Sequence, residues 1–281
     1  MIVPMKELLV EARAGKYAVT AFEFWSLDSA QAIVEAAEIA GMPVILQAGP
    51  LEINFAGIEN LAKVAGMTAG RSPLKFALHL DHGDSFDMAE AAVNSGFTSI
   101  MIDASLLPYR ENLELTKRVV ALASPHGISV ESELGKLSGS EAGKTVSEEE
   151  AAQTDPDEAE MFAAETGIDA LAVAIGTGHG FYKFKPKLNL KLLKKINEKV
   201  TIPLVLHGGS DTPNDQILRA IDLGIAKVNI CTEFVAAFGK DYITQQAKPD
   251  FKYNVTNLFE SGKRAGRELA LAKIRLFGKK D

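Results

Sequence analysis

The chain has 281 residues, 47% of them apolar and 24% charged, with 23 Gly and 11 Pro, a composition that fits a globular protein and excludes collagen-like, disordered and disulfide-rich classes. Its 30 Lys and Arg against 37 Asp and Glu leave a net charge of −7, and no basic run is dense enough to track a phosphate backbone, so nucleic acid is not expected as a partner. Cys231 is the only cysteine, which rules out an intrachain disulfide and a Cys-based zinc ribbon and suits a reducing, cytoplasmic setting.

Lys6, Glu7, Glu11 and Arg13 interrupt the apolar residues at the start of the chain, so neither a signal peptide nor a membrane span is expected there. Beyond them, apolar runs of strand length alternate with amphipathic stretches of helix length. The first strand is predicted at Tyr17–Phe22 and a helix at Leu27–Ala40, with Asp28 and Ser29 suited to its start and Gly41 to its stop. Then follow a strand at Pro43–Gln47, a helix at Glu52–Ala65, a strand at Lys75–Leu80, a helix at Ser85–Ser95, a strand at Ser99–Ile102 and a helix over Asn112–Ala123. Four further strands are predicted at Ser129–Leu134, Ala170–Ala174, Pro203–Leu206 and Ala226–Ile230.

Eight short strands separated by helices predict an α/β protein, a closed (β/α)8 TIM barrel forming a single domain over 1–281, in preference to a doubly wound open sheet. Two segments break the rhythm. The polar stretch Lys136–Asp155 reads either as a mobile loop over the site or as a solvated insertion without a role. Asn257–Phe277 reads as one long appended C-terminal helix that covers the barrel or packs on a neighbouring subunit.

Chemistry in such a barrel gathers at the C-terminal ends of the strands. There the sequence places His79-Leu80-Asp81-His82, Glu131-Ser132-Glu133, Gly178-His179-Gly180, His207-Gly208-Gly209-Ser210 and Asn229. Histidines 82, 179 and 207 arrive from three strand ends and can form an open three-nitrogen site, for which zinc is the best-suited ion. His79 is expected to fill a barrel layer or orient a neighbour, and His126 to be exposed. Asp81, Glu133 and Glu141 are the acid-base candidates; Asp81 either exchanges a proton with a substrate oxygen or only orients a histidine. Glu131 and Glu133 share a strand face, so one can approach the metal while the other supports the barrel interior. The glycine turns at 178–180 and 207–210, with Asn229 and Thr232, lie where barrels hold phosphate.

Leu80-Asp81-His82, Glu133-Leu134-Gly135, Ala174-Ile175-Gly176 with His179-Gly180, His207-Gly208-Gly209-Ser210 and Asn229 together resemble the class II, metal-dependent ketose-bisphosphate aldolases of the fructose and tagatose type. The resemblance extends to Met101–Ser105 and Met5–Leu9 and covers nearly the whole chain. It implies reversible zinc-dependent cleavage of a phosphorylated ketose to dihydroxyacetone phosphate and an aldehyde. His82, His179 and His207 would be the zinc ligands, and Glu133 the carboxylate that approaches a shifted metal. Asp81 would exchange the C4 hydroxyl proton, and Glu141 the proton on the ketone-derived fragment. Gly180, Gly208, Gly209, Ser210, Asn229, Ile230, Cys231 and Thr232 would cradle the ketone phosphate, with a monovalent cation nearby and a homo-oligomer, dimer or tetramer, as the assembly.

Three positions depart from the family pattern: Glu23 in place of Asn, Gly49 in place of a hydroxyl-bearing residue, and Phe251-Lys252 in place of Pro-Arg. All three are expected on the aldehyde side. Lys252 retains a positive charge for a distal phosphate, whereas Glu23 repels one and accepts hydrogen bonds from hydroxyls. No lysine is evident pointing inward at a strand end, as a Schiff-base aldolase would require. A catalytically silent sugar-phosphate-binding barrel or accessory subunit is opposed by the presence of all three histidines and Asp81.

Overall fold

A computed structural model describes residues 1–279 except 142, 143, 148, 183 and 184, and gives only the main chain of 140, 141 and 144. In chain order its elements begin with α1 (Met5–Gly15), β1 (Val19–Glu23), α2 (Leu27–Ala40), β2 (Val44–Ala48), α3 (Pro50–Ala56), α4 (Ile58–Ala69), β3 (Phe76–Gly83), α5 (Phe86–Ser95), β4 (Ser99–Ile102), α6 (Tyr109–Ala123) and β5 (Ser129–Leu134). They continue with β6 (Gly139–Glu141), β7 (Lys144–Val146), α7 (Pro156–Thr166), β8 (Ala170–Val173), α8 (Leu190–Lys199), β9 (Leu204–Leu206), α9 (Asn214–Asp222), β10 (Ile225–Ile230), α10 (Thr232–Gln246) and α11 (Val255–Phe277). Eight of these strands pair in parallel around a closed ring, in the order β1-β10-β9-β8-β5-β4-β3-β2, which is the TIM barrel expected.

The period-two pleat sorts side chains into two shells. On β3, Leu78 and Leu80 point outward to the helices, whereas Ala77 packs inside the barrel. His79 and Asp81 follow Ala77 on the inner face, and all are buried. The floor of the barrel is apolar: Ala21, Ile45, Ala77, Ala172 and Val205 pack against Met5, Leu8, Leu9 and Ala12 of α1. That helix is thus a plug. Arg13 fastens it, bonding to the carbonyl of Val200 at 2.8 Å, to the carbonyl of Ile202 and to Asn197 Oδ1 at 2.8 Å.

Several elements differ from the sequence reading. The helix expected over Glu52–Ala65 is two helices, α3 and α4, because Gly57 between them adopts φ +85°, which ends one and starts the other. The start of α2 is capped by Ser26 with Ser29 in a reciprocal capping box. Within the stretch at 136–155, β6 and β7 form an antiparallel hairpin. It is stitched down: the amide of His179 donates to the carbonyl of Ser138 at 2.8 Å, and a Cβ on Gly139 would lie 2.4 Å from the His179 carbonyl oxygen.

The appended helix α11 is present and lies along α2 and α10, outside the ring. Glu35 of α2 receives Lys263 at 2.7 Å and Arg267 at 2.9 Å. Gly262 and Gly266 let α11 press on the Phe238 ring of α10, since a Cβ on either would come within 3.0 Å of that ring. Lys273 reaches Glu233 at the start of α10, 2.6 Å away. No described helix is long and apolar enough to cross a membrane.

Candidate metal centre and phosphate cradle

The upper barrel is polar in two tiers. In the lower one, fully buried Lys227 donates to Glu131 Oε2 at 2.8 Å and to His79 Nε2 at 3.1 Å, and His79 Nδ1 in turn lies 2.8 Å from Ser99 Oγ. His79 is neutral, its pKa pressed to about 3 by burial and then by the Lys227 charge. Glu131 is anionic: burial would raise it, but Lys227 and His207 outweigh that and hold it at about 2. His79 therefore fills a layer, as its strand position suggests. Lys227 corrects the expectation that no lysine points inward, since it stands in the barrel interior. It is locked to Glu131 beneath the cavity and does not line it.

The upper tier holds the three histidines. His82 Nδ1 donates to Asp103 Oδ2 at 2.8 Å, and His207 Nε2 donates to Glu131 Oε1 at 2.9 Å. Each bond settles a tautomer, so His82 Nε2 and His207 Nδ1 keep lone pairs. Those two nitrogens face each other across 2.9 Å. His179 completes the group, with one ligand nitrogen from each ring within 4.8 Å of the others. Its Nε2 is buried and has no partner among the described residues. Opposed lone pairs and an orphaned ring nitrogen are what a cation relieves, so the residues fit a divalent ion. His82 itself sits at φ +47°, a left-handed conformation costly for a residue with a Cβ and a mark of a site that needs its ring there.

Glu133 stands beside this centre, buried, with Oε2 unpartnered among the described residues. Burial first, and then the charge of Asp103, push its pKa well above the usual carboxylate range. With His82 and Asp103 it forms a second group of ligand atoms within 4.8 Å. Asp81 is the opposite case. Burial would raise its pKa, but the positive charge around it, Lys227 at 3.9 Å included, holds it far below the ordinary value. Two amides clamp it: Gln47 Nε2 donates to Oδ2 at 2.9 Å, and Asn229 Nδ2 donates to Oδ1 at 3.1 Å.

A cavity of about 310 Å³ opens over these groups, lined by Gln47, Asp81, His82, His179, Gly180, His207, Gly208, Ser210, Asn229, Cys231 and Thr232. Gly180 and Gly208 adopt φ +93° and +66°, and the N-terminus of α10 faces in through Cys231 and Thr232. Glycine turns beside a helix N-terminus suit an anion cradle. Its two loops are joined by Tyr182, whose hydroxyl accepts from the Gly178 amide at 2.7 Å and donates to the carbonyl of Gly208 at 3.0 Å.

Not every sequence candidate lines that cavity. Gly209 is pressed against β10, where a Cβ would lie 2.6 Å from Val228, and Ile230 packs in the outer apolar shell. Glu23 is buried behind Gln47, which donates to its Oε1 at 2.9 Å. Lys252 is exposed in a separate groove with Lys248, Asp250 and Arg264. Glu141 lies on β6, and its side chain falls outside the described residues. The sequence alone assigns no role to Gln47, Asp103, Tyr182 or Lys227, although Gln47 and Lys227 carry a usable signal, a polar residue at an inward position of an apolar strand.

The model of a protein family described as fructose-bisphosphate aldolase class-II matches residues 3–281. A fructose-bisphosphate aldolase of Geobacillus stearothermophilus is 42% identical over 99% of this chain and 97% of its own length. The YdjI aldolase of Escherichia coli K12 superposes with a TM-score of 0.88 at 35% identity, over 99% of this chain and 98% of that one. A putative fructose-1,6-biphosphate aldolase of Coccidioides immitis gives 0.87 at 31%, over 97% and 95%.

Proposed function

Since this chain belongs to the class-II fructose-bisphosphate aldolase family, it is a metal-dependent aldolase, and we propose that it cleaves the C3–C4 bond of a phosphorylated ketose reversibly, giving dihydroxyacetone phosphate and an aldehyde. Fructose and tagatose 1,6-bisphosphates and ketose 1-phosphates all fall within this reading. The observation that supports it most directly is one cavity shared by three histidines, a clamped anionic Asp81 and the glycine-lined anion cradle.

Zinc is the ion we assign, held by His82, His179 and His207; Glu133, which groups with His82 and Asp103, would be the carboxylate that approaches it. Such an ion supplies a Lewis acid that polarises the ketone carbonyl and takes up the charge released when the bond breaks. Gly180, Gly208, Ser210, Asn229, Cys231 and Thr232 hold the ketone-side phosphate, largely through main-chain amides, with Gly209 and Ile230 supporting those turns from behind. A monovalent cation beside these turns belongs to the same reading.

Asp81 takes the proton from the C4 hydroxyl, for which an anionic carboxylate held on both oxygens by amide donors is well prepared. As C3–C4 breaks, its electron pair stays with C3 and C4 leaves as the aldehyde carbonyl. Glu141 delivers a proton to C3, and the reverse order gives aldol addition. A silent binding barrel would have no need of the Gln47 and Asn229 clamps on Asp81.

All of this is assigned to a single domain over 1–281 acting in the cytoplasm as a homo-oligomer. The exposure of Ile243, Tyr253 and Val255 around the α10–α11 corner, 67%, 77% and 77%, supports an assembly there. The test is triose phosphate release from a panel of ketose phosphates. Release that chelator abolishes and zinc restores is the expected result. Undiminished release without metal, or a lysine adduct trapped by borohydride, overturns the reading.

A further inference from the structure

Asp81 and Gln47 line one end of the cavity, and two further carboxyl groups, those of Glu23 and Glu52, stand outside that lining. Glu23 and Asp81 share the Gln47 amide, each at 2.9 Å. Glu52 curls back over the start of α3, where its Oε2 accepts the Gly49 amide at 3.1 Å, and its carboxyl lies against that of Glu23. The side chain missing at Gly49 is part of this arrangement: a Cβ there would lie 3.3 Å from Glu52 Oε2 and 3.3 Å from the Asp81 carbonyl oxygen. The room for a larger residue at 49 is taken by the Glu52 carboxyl.

A second observation points to a ligand. Gln47 is fully buried and lines the cavity, yet its Oε1 has no partner among the described residues. With both amide hydrogens committed to carboxylates, what remains is an acceptor. At this end the lining of Gln47 and Asp81 therefore offers an acceptor and wants a donor. No described lysine or arginine lines the cavity, and Lys227 below is committed to Glu131.

We propose that Gln47 and Asp81, backed by the carboxyls of Glu23 and Glu52, form the aldehyde end of the site and select an unphosphorylated, hydroxyl-bearing aldehyde, so that the substrate class is a ketose 1-phosphate. This rests on the aldol reading given above and narrows it. A sugar hydroxyl can donate to Gln47 Oε1, the acceptor left open on the lining. A phosphate dianion has no proton to donate and meets like charge instead. The ketone-side phosphate has its own residues, the turns at Gly180 and Gly208 and the start of α10. Burial and the nearby Asp81 charge raise the Glu52 pKa, which accords with a proton held between Glu52 and Glu23.

The experiment runs the reaction as aldol addition with metal-loaded enzyme. Dihydroxyacetone phosphate is paired with D-glyceraldehyde or with D-glyceraldehyde 3-phosphate, and exchange of its C3 proton with deuterated solvent is followed separately without aldehyde. We expect exchange, and a kcat/KM at least about tenfold higher for unphosphorylated glyceraldehyde, the scale on which a site of unpaired polar groups discriminates. Glu23→Gln and Glu52→Gln should each shrink that preference several-fold by improving use of the phosphorylated aldehyde. Exchange together with a preference below tenfold, or a preference that neither substitution moves, overturns the proposal. Absence of exchange overturns the aldol reading beneath it. Wild-type preference decides the question even where a variant folds poorly.

Discussion

His82 Nε2 and His207 Nδ1 face each other across 2.9 Å with a lone pair on each. Neither ring can turn away, because Asp103 holds the first and Glu131 the second through the opposite nitrogen. The pair is therefore built around a positive charge.

A bound ion should accordingly stabilise the fold as well as enable cleavage. At a hundredfold excess over its dissociation constant, a ligand of the folded state contributes about 2.7 kcal/mol. Chelation should lower Tm by several degrees and zinc should restore it. Asp103→Ala, which frees the His82 ring, should weaken zinc binding about 10–100-fold. Competition with a chromophoric chelator measures that directly, and unchanged affinity would show that Asp103 does not orient the ring.

Asp81→Asn separates proton transfer from metal binding. The amide keeps the shape but cannot take the C4 hydroxyl proton, so turnover should fall about 10²–10⁴-fold with zinc content unchanged. Because Gln47 and Asn229 both donate to Asp81, the new NH2 group faces donors and will shift. Zinc content by metal analysis, read beside kcat, distinguishes lost chemistry from a lost ion.

Lys227 and Glu131 form a buried ion pair at 2.8 Å. Removing one partner strands the other, so Lys227→Met should cost about 3–5 kcal/mol. Adding Glu131→Gln should return part of that loss, because the remaining polar group is then neutral. Denaturant unfolding of the single and double variants gives the coupling, and simple additivity would mean the pair is not coupled.

Glu35 anchors α11 to α2 through Lys263 and Arg267. Burial opposes its ionisation, but the two cations outweigh burial and lower its pKa. A lowered carboxylate pKa stabilises the fold above the ordinary value of about 4.3 and loses that contribution as pH falls through the lowered one. Wild type should therefore lose stability relative to Glu35→Gln on acidification from pH 6 to 3. The side chains are partly exposed, so the difference at neutral pH should be about 1 kcal/mol or less. Parallel Tm curves across that range would remove Glu35 as an anchor.

What the sequence disclosed follows from geometry. Asp81, Glu131, Glu133 and His207 could be read because a polar residue within an apolar strand breaks the two-residue rhythm and so announces an inward position. Lys227 breaks it equally, but a lysine reads as solvated unless its partner is known, and Glu131 is 96 residues away. Glu52 is harder still. A glutamate in the first turn of a helix caps it, and only the fold reveals that this cap also reaches Glu23. The plug helix α1 carried a signal in the helical spacing of Met5, Leu8, Leu9 and Ala12. The strands of the β6–β7 hairpin, three residues each, are too short for any periodicity.

The ring closes by pairing β1 with β10, Val19 beside Lys227 and Ala21 beside Asn229. During synthesis, then, the first strand emerges long before its neighbour exists, and Thr20, Ala21 and Phe22 offer an open edge to any other chain in the meantime. Folding cannot be completed piecewise from the N-terminus, since Asp81 obtains its Asn229 clamp only when the last strand docks. A ribosome-stalled chain ending before Ile225 should bind chaperones rather than ligands, and the cell meets this enzyme as inert until its eighth barrel strand has been translated.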